Sequence, residues 1–249
     1  MRLLSTFITL SSVLPVALVG CAASGPADEL FDPSSNDDGL AQDGGYTYFA
    51  IAADQRKCAS PACGGWFVER LNRSTTTCHD GSRAEQCYTP VLDWSNAGLP
   101  VDQQTRLLDA CRQPLSEGVY AIVRGQFARK NTTTPRPELG RFVITEAWLA
   151  EGDMPSSGTF VKVRDNGLRC FAAPCPSLTE SALNGSTSTD IAGLDWAPSA
   201  MTDAQIEECT ADLFTSDGLL VVGDRYTMTE NGSTANGRTV TVAYQRLVW

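Results

Sequence analysis

The sequence predicts an α+β fold made of two duplicated copies, each an antiparallel sheet plus one helix, disulfide-stapled and packed as a pseudo-symmetric pair. Three observations carry this expectation. Two stretches repeat in order along the chain, each repeat alternates strand-like and helix-like periodicity, and an even number of cysteines remains once Cys21, which follows an N-terminal export signal, is set aside.

The repeat is the most informative of the three. Residues 57–75 read KCASPACGGWFVERLNRST and residues 169–187 read RCFAAPCPSLTESALNGST. Cys58, Cys63, Leu71, Asn72, Ser74 and Thr75 align with Cys170, Cys175, Leu183, Asn184, Ser186 and Thr187, all at an offset of 112. Leu92-Asp93-Trp94 answers to Leu194-Asp195-Trp196 at offset 102, Ser116-Glu117-Gly118 to Ser216-Asp217-Gly218 at 100, and Gly140-Arg141 to Gly237-Arg238 at 97. A shared order with drifting offsets is what duplication with small loop deletions leaves behind. The copies are assigned to residues 46–155 and 156–249. The first carries about ten extra residues between Thr75 and Asp93, and Cys78 and Cys87 both fall there.

Within each copy the elements follow in sequence. Apolar alternation predicts a first strand at 46–52 and at 160–163. A cysteine loop holding Pro61 or Pro174 comes next, followed in the first copy by a strand at 66–71. A helix then opens near Asp102 or Asp203, where a carboxylate suits the helix dipole and its unpaired N–H groups. Its apolar face is Leu107, Leu108, Cys111 and Leu115 in one copy, and Ile206, Cys209, Leu213 and Phe214 in the other. Glycines 118 and 218 end the helices. Hairpins of 119–128 with 141–149, and of 219–229 with 239–248, close the copies across the turn-rich connectors NTTTPRPELG and NGSTANG.

Residues 1–20 read as a lipoprotein signal peptide: Arg2, an apolar run, then Leu18-Val19-Gly20-Cys21. This resembles a bacterial lipobox, which implies lipidation of Cys21 and export to the envelope. By the same resemblance, Ala22 after the cysteine implies transfer to the outer membrane. Pro15 and a cluster of Ser and Thr argue against a membrane-spanning helix. Residues 21–45 form an acidic flexible tether, with six acidic residues and no basic one from Ser24 to Gly45.

The whole chain carries a formal charge of −10, without runs of Lys or Arg, which excludes a nucleic-acid partner. Cys21 aside, eight cysteines remain, and an oxidising compartment makes four disulfides the expectation. Cys78–Cys87 closes the insertion. For the rest, one solution is Cys58–Cys63, Cys170–Cys175 and a Cys111–Cys209 bond between the helices. The alternative ties each helix cysteine to its own loop and crosses at Cys58–Cys170. A zinc site of Cys58, Cys63, Cys170 and Cys175 is the rival reading, disfavoured because thiolate ligands require reduced cysteines.

The run KCASPACGGWFVERLN, then CHDG and CYTPVLDW, resembles an uncharacterised family of cysteine-rich exported bacterial proteins, often lipoproteins, over residues 48–125. The resemblance implies export and disulfides and transfers no activity.

No phosphate-binding glycine loop, nucleophile elbow or metal-ligand motif occurs, so neither cofactor nor metal is expected and no catalytic residue is identified. His79, the single histidine, lies in the turn CHDG. Gly64-Gly65-Trp66 reads as a strand-entry bulge, with close ligand approach as the alternative. Arg124, Arg129, Lys130, Arg136 and Arg141 gather at the first hairpin, where anionic lipid or glycan is the alternative to plain solvation. Residues shared by both copies, including Asn72 and Asn184, are expected to hold the fold. The function predicted is a non-enzymatic cell-envelope lipoprotein, membrane-anchored, binding an envelope protein or glycan. The alternative is an envelope hydrolase using a carboxylate pair.

Overall fold

The computed structural model describes residues 46–128, 139–152 and 155–248. Cys21, the signal peptide and the tether lie outside the described residues.

Short runs rich in Val, Ile, Phe, Tyr and Thr make strand the main regular structure of the described residues, as their branched and aromatic side chains favour. In the first half, β1 is Thr47–Ala53, β2 Trp66–Arg70, β3 Thr76–Thr77, β4 Arg83–Ala84, β5 Cys87–Thr89 and β6 Leu92–Asp93. Helix α1 (Val101–Ala110) leads into β7 (Ala121–Phe127) and β8 (Phe142–Glu151). In the second half, β9 is Thr159–Asp165, β10 Leu178–Ala182, β11 Ser188–Ile191 and β12 Leu194–Asp195. Helix α2 (Asp203–Asp212) precedes β13 (Leu219–Gly223), β14 (Arg225–Glu230), β15 (Ser233–Thr239) and β16 (Val242–Arg246).

One 11-stranded sheet dominates, in the order β11-β10-β9-β13-β16-β8-β7-β1-β2-β5, with β6 paired to β8. It is antiparallel except for that short β6–β8 pair. Strands β12, β15 and β14 form a small sheet, and β3 with β4 another. The expected α+β pair of copies, each with its own sheet and helix, is therefore corrected to a mainly β fold with two short helices among the described residues. The reason is the last strand of each half. Residues Trp148–Glu151 of β8 hydrogen-bond to Ala243–Arg246 of β16 and merge what was read as two sheets. In addition, β13 is buried along its whole length, so it needs cover on both faces, which one helix cannot supply.

The second hairpin is also corrected. Strand β13 pairs with β16, whereas β14 turns back at Asn231-Gly232 to pair with β15. The connector read as NGSTANG is therefore mostly strand.

Alternation along the strands sorts the core into three clusters. On one face Phe49, Ile51, Val123, Phe142 and Leu149 pack with Leu107 and Cys111 of the α1 region. On the same face of the other half, Val161, Val163, Leu219 and Val221 pack with Cys209 and Leu213. The opposite face of both halves shares one cluster, with Ala50, Ile122, Trp148, Leu220, Val222, Val242 and Tyr244. Both helices thus lie on one face, and the other face folds on itself.

Two asparagines fasten that closure. Asn184 donates through Nδ2 to the carbonyls of Tyr48 (2.7 Å) and Leu71 (2.9 Å) and accepts at Oδ1 from the Tyr48 N–H (2.8 Å). Asn72 does the same in return, donating to Phe160 (2.7 Å) and Leu183 (2.9 Å) and accepting from the Phe160 N–H (2.9 Å). Both have left-handed backbones, at φ 55° and 58°, a conformation asparagine tolerates better than most residues. Six strands, β1-β7-β8-β16-β13-β9, therefore curl until β1 meets β9, and asparagine side chains bridge the gap where no ladder forms.

The helices are less regular than expected. Thr202 and Gln205 form a reciprocal capping box at the start of α2, whereas α1 begins after Pro100 with no side-chain cap. Leu115 belongs to a separate 3-10 turn, and Phe214 is 67% exposed, so neither extends a helical apolar face.

Disulfides join Cys58 to Cys63, Cys78 to Cys87 and Cys170 to Cys175. The zinc alternative is thereby removed, and so is the Cys58–Cys170 crossing. The Cys111–Cys209 bond is also corrected: both are free, buried thiols. Each is packed into a different cluster on its own half, out of the other's reach. Burial pushes the Cys209 thiol up to about 12, helped by Glu151, and raises Cys111 as well. A thiol titration of the Cys21→Ser protein should find no reactive thiol when native and two after denaturation. Finding none after denaturation would restore the interhelical bond.

Candidate functional site

The β1–β9 seam leaves a cleft of about 340 Å³ beside the Asn184 turn. Tyr46, Thr47 and Tyr48 form one wall, Lys162 and Arg164 of β9 another, and Ser181 to Gly185 a third, with Arg124 of β7 behind. Alternation places these groups: Lys162 lies two residues from Phe160, on the face that folds inward, as does Tyr48 relative to Ala50. Register then aligns them. Tyr48 sits opposite Arg124 and Arg124 opposite Glu146, while Ser181, Lys162 and Leu220 lie abreast.

The cations of the cleft differ in how they are engaged. Arg124 is held by Glu146 at 2.6 Å, and Glu146 also meets Arg246 at 3.3 Å, which pairs in turn with Asp217. That chain of two cations and two anions is neutral. Lys162 has no carboxylate partner among the described residues; its ammonium lies 5.6 Å from the centre of the Tyr48 ring. Arg164 donates to the Ser216 carbonyl at 3.3 Å and likewise lacks a carboxylate among the described residues. Tyr48 is steadied from behind by Trp148, with ring centres 5.5 Å apart. Among the described residues no carboxylate lines the cleft, so a local positive field stands in a chain of net charge −10.

A second cleft of about 440 Å³ includes Asp54, Arg56 and Phe67. Asp54 is fully occupied: Arg56 grips its carboxylate at 2.9 and 3.0 Å, and the Gly64 N–H adds a bond at 3.3 Å. The Arg56 side-chain bonds, ahead of the opposing cost of burial, hold Asp54 below the usual carboxylate range. Arg56 stacks over Phe67 and Tyr88 and also donates to Ala62, so the group braces the Cys58–Cys63 loop.

The residues singled out from sequence are scattered. His79 packs against Phe127 (6.3 Å between ring centres) and beneath Gly140, in a structural position. A side chain at Gly65 would strike the Thr89 carbonyl at 2.3 Å, so strand β5, not a ligand, occupies the space beside this glycine. Of the hairpin cations, Arg124 reaches the cleft, Arg141 pairs with Asp93 at 3.1 Å, and Arg129, Lys130 and Arg136 lie outside the described residues. The carboxylate pair of the hydrolase reading converges in neither cleft. Acidic neighbours do occur elsewhere: burial and then Glu208 raise Glu151 and Asp212, and burial and then Glu85 raise Glu69.

Sequence reasoning missed Lys162 and Arg164, which look like the solvent side of an alternating strand. A signal was present. At the offset of 112 that aligns the two asparagines, they stand where the first half has Ala50 and Ala52. The asparagines are matched between halves and the cations are not.

Comparison with curated proteins and with solved structures yields no match. One family does match, described as a domain of unknown function (DUF6748), over residues 47–246. That span takes in every strand and helix described above, and the chain belongs to this family.

Proposed function

We propose that the chain is an exported, lipid-anchored protein of the bacterial envelope, placed at the outer membrane by Ala22, whose role is to bind and not to catalyse. Support for the anchor is the apolar run ending in Leu18-Val19-Gly20-Cys21. Support for binding is the seam cleft, lined by tyrosine rings, Ser181 and two cations that have no carboxylate partner among the described residues. The hydrolase reading has no such observation behind it, because a carboxylate pair would need to face a common cleft.

Changing Cys21 to Ser should move the protein out of the membrane fraction or leave it unprocessed; normal processing with full membrane retention would contradict the anchor. For the binding role, detergent-solubilised mature protein should co-sediment with isolated, delipidated envelope material. The Lys162→Ala/Arg164→Ala variant should lose at least most of that retention, and no soluble sugar fragments should be released. Equal retention of the variant would remove the cleft from the account, and fragment release would return the hydrolase.

A further inference from the structure

Lys162 and Arg164 do not converge on one point. They are two residues apart on β9, so their Cα atoms are separated by roughly 6.5 Å on the same face. The Lys162 ammonium turns to Tyr48, 5.6 Å from its ring centre, whereas the Arg164 guanidinium turns to the Ser216 carbonyl at 3.3 Å. A single phosphate or carboxylate would need both heads to close on it. Two separated heads suit two anionic groups spaced along a chain.

The rest of the cleft limits what that chain is. Tyr46 and Tyr48 offer apolar ring surface with hydroxyl tips, and Ser181, abreast of Lys162, offers another hydroxyl. Rings beside hydroxyls suit a molecule with apolar C–H faces and hydroxyl edges. A nucleic acid would need a longer basic stripe than this acidic chain carries. A flat lipid surface would need convex cations, and these line a concavity.

We infer that the cleft binds a saccharide chain bearing repeated anionic groups, with Lys162 and Arg164 each meeting one charge and a sugar face resting on the tyrosine wall. This rests on the binding role proposed above. The anionic groups can be carboxylates or phosphates, and the test separates them.

Calorimetric titration of the full mature protein would compare trigalacturonic acid, a phosphorylated maltotriose, neutral maltotriose and inorganic phosphate. A charged trisaccharide should bind, and the better of the two identifies the anion. Its affinity should fall about tenfold in Lys162→Ala and again in Arg164→Ala, as loss of a charge-assisted contact implies. It should also weaken as salt rises. Tyr46→Ala should weaken the trisaccharide without changing the salt dependence. Unchanged thermal unfolding in each variant would exclude misfolding as the cause.

Neutral maltotriose binding as tightly as the charged sugars would overturn the inference while leaving a binding role intact. Inorganic phosphate binding as tightly would reduce the cleft to a small-anion site and overturn it too. Failure of every probe, together with undiminished envelope retention of the double variant, would overturn both this inference and the reading beneath it.

Discussion

Replacing Asn184 with alanine should destabilise the protein by about 3–5 kcal/mol, because it strips the β1–β9 seam of its side-chain rungs. Three hydrogen bonds disappear at once, two donated by Nδ2 and one accepted by Oδ1. Each partner is a backbone group at the seam, and a buried group left without a partner costs about 1–3 kcal/mol. Alanine must also hold a φ of 58°, which adds roughly 1 kcal/mol of backbone strain. Asn184→Gly separates the two contributions, since glycine accepts the backbone angle and loses only the bonds. Urea unfolding should show a lower midpoint with an unchanged slope in both variants, alanine falling further. A cost below about 1 kcal/mol for alanine would mean that water replaces the rungs and the seam is not held by them.

Arg238→Met should cost a comparable ~3–5 kcal/mol, through a buried charge. Arg238 and Glu180 are each 1% exposed, and Arg225 completes the group. Arg238 donates twice to the Glu180 carboxylate and once to the Gly223 carbonyl at 2.6 Å. The pair ties the small β12–β15–β14 sheet to β10. Removing one partner leaves a carboxylate in the interior with half its support, whereas Glu180→Leu with Arg238→Met should recover much of the loss. The pH dependence follows from the same contacts. Burial alone would raise Glu180, but the hydrogen bonds and charges of Arg238 and Arg225 outweigh it and hold the group below its ordinary value. A carboxyl depressed on folding contributes stability that is complete above its unfolded pKa and is lost as pH falls through the folded one. Stability should therefore decline on the acid side of the ordinary glutamate range, and Glu180→Gln should flatten that decline. An unchanged acid limb in Glu180→Gln would assign the effect to other carboxylates.

What the sequence made legible was local. Apolar alternation located β1 and β9, and the carboxylate of Asp203 marked a helix start. The Cys78–Cys87 loop is readable because the insertion that holds both cysteines has no counterpart in the second half, whereas Cys58–Cys63 was one of two open pairings until the fold decided it. The single sheet was not legible, because the β8–β16 pairing joins residues about a hundred positions apart and nothing in either strand names its partner. Strand β13 carried a hint: LLVVG is apolar on both faces, as a strand buried on both sides must be. An odd cysteine count per half argued for a crossing bond, yet Cys111 and Cys209 serve their clusters as small apolar side chains and need no bond. Asn72 and Asn184 were legible as turn residues, but the strands they bridge were not, since their partners lie 88 to 136 positions away. Lys162 and Arg164 line a cleft only because β9 is brought against β1.

If the seam between β1 and β9 is the binding face, backbone amide shifts mapped by NMR during titration of the mature protein with the tightest charged trisaccharide will show it. The shifts should concentrate at residues 46–48, 162–164 and 181–185, and disappear in Lys162→Ala/Arg164→Ala. Shifts centred instead on Asp54, Arg56 and the Cys58–Cys63 loop, and retained in that variant, would contradict it.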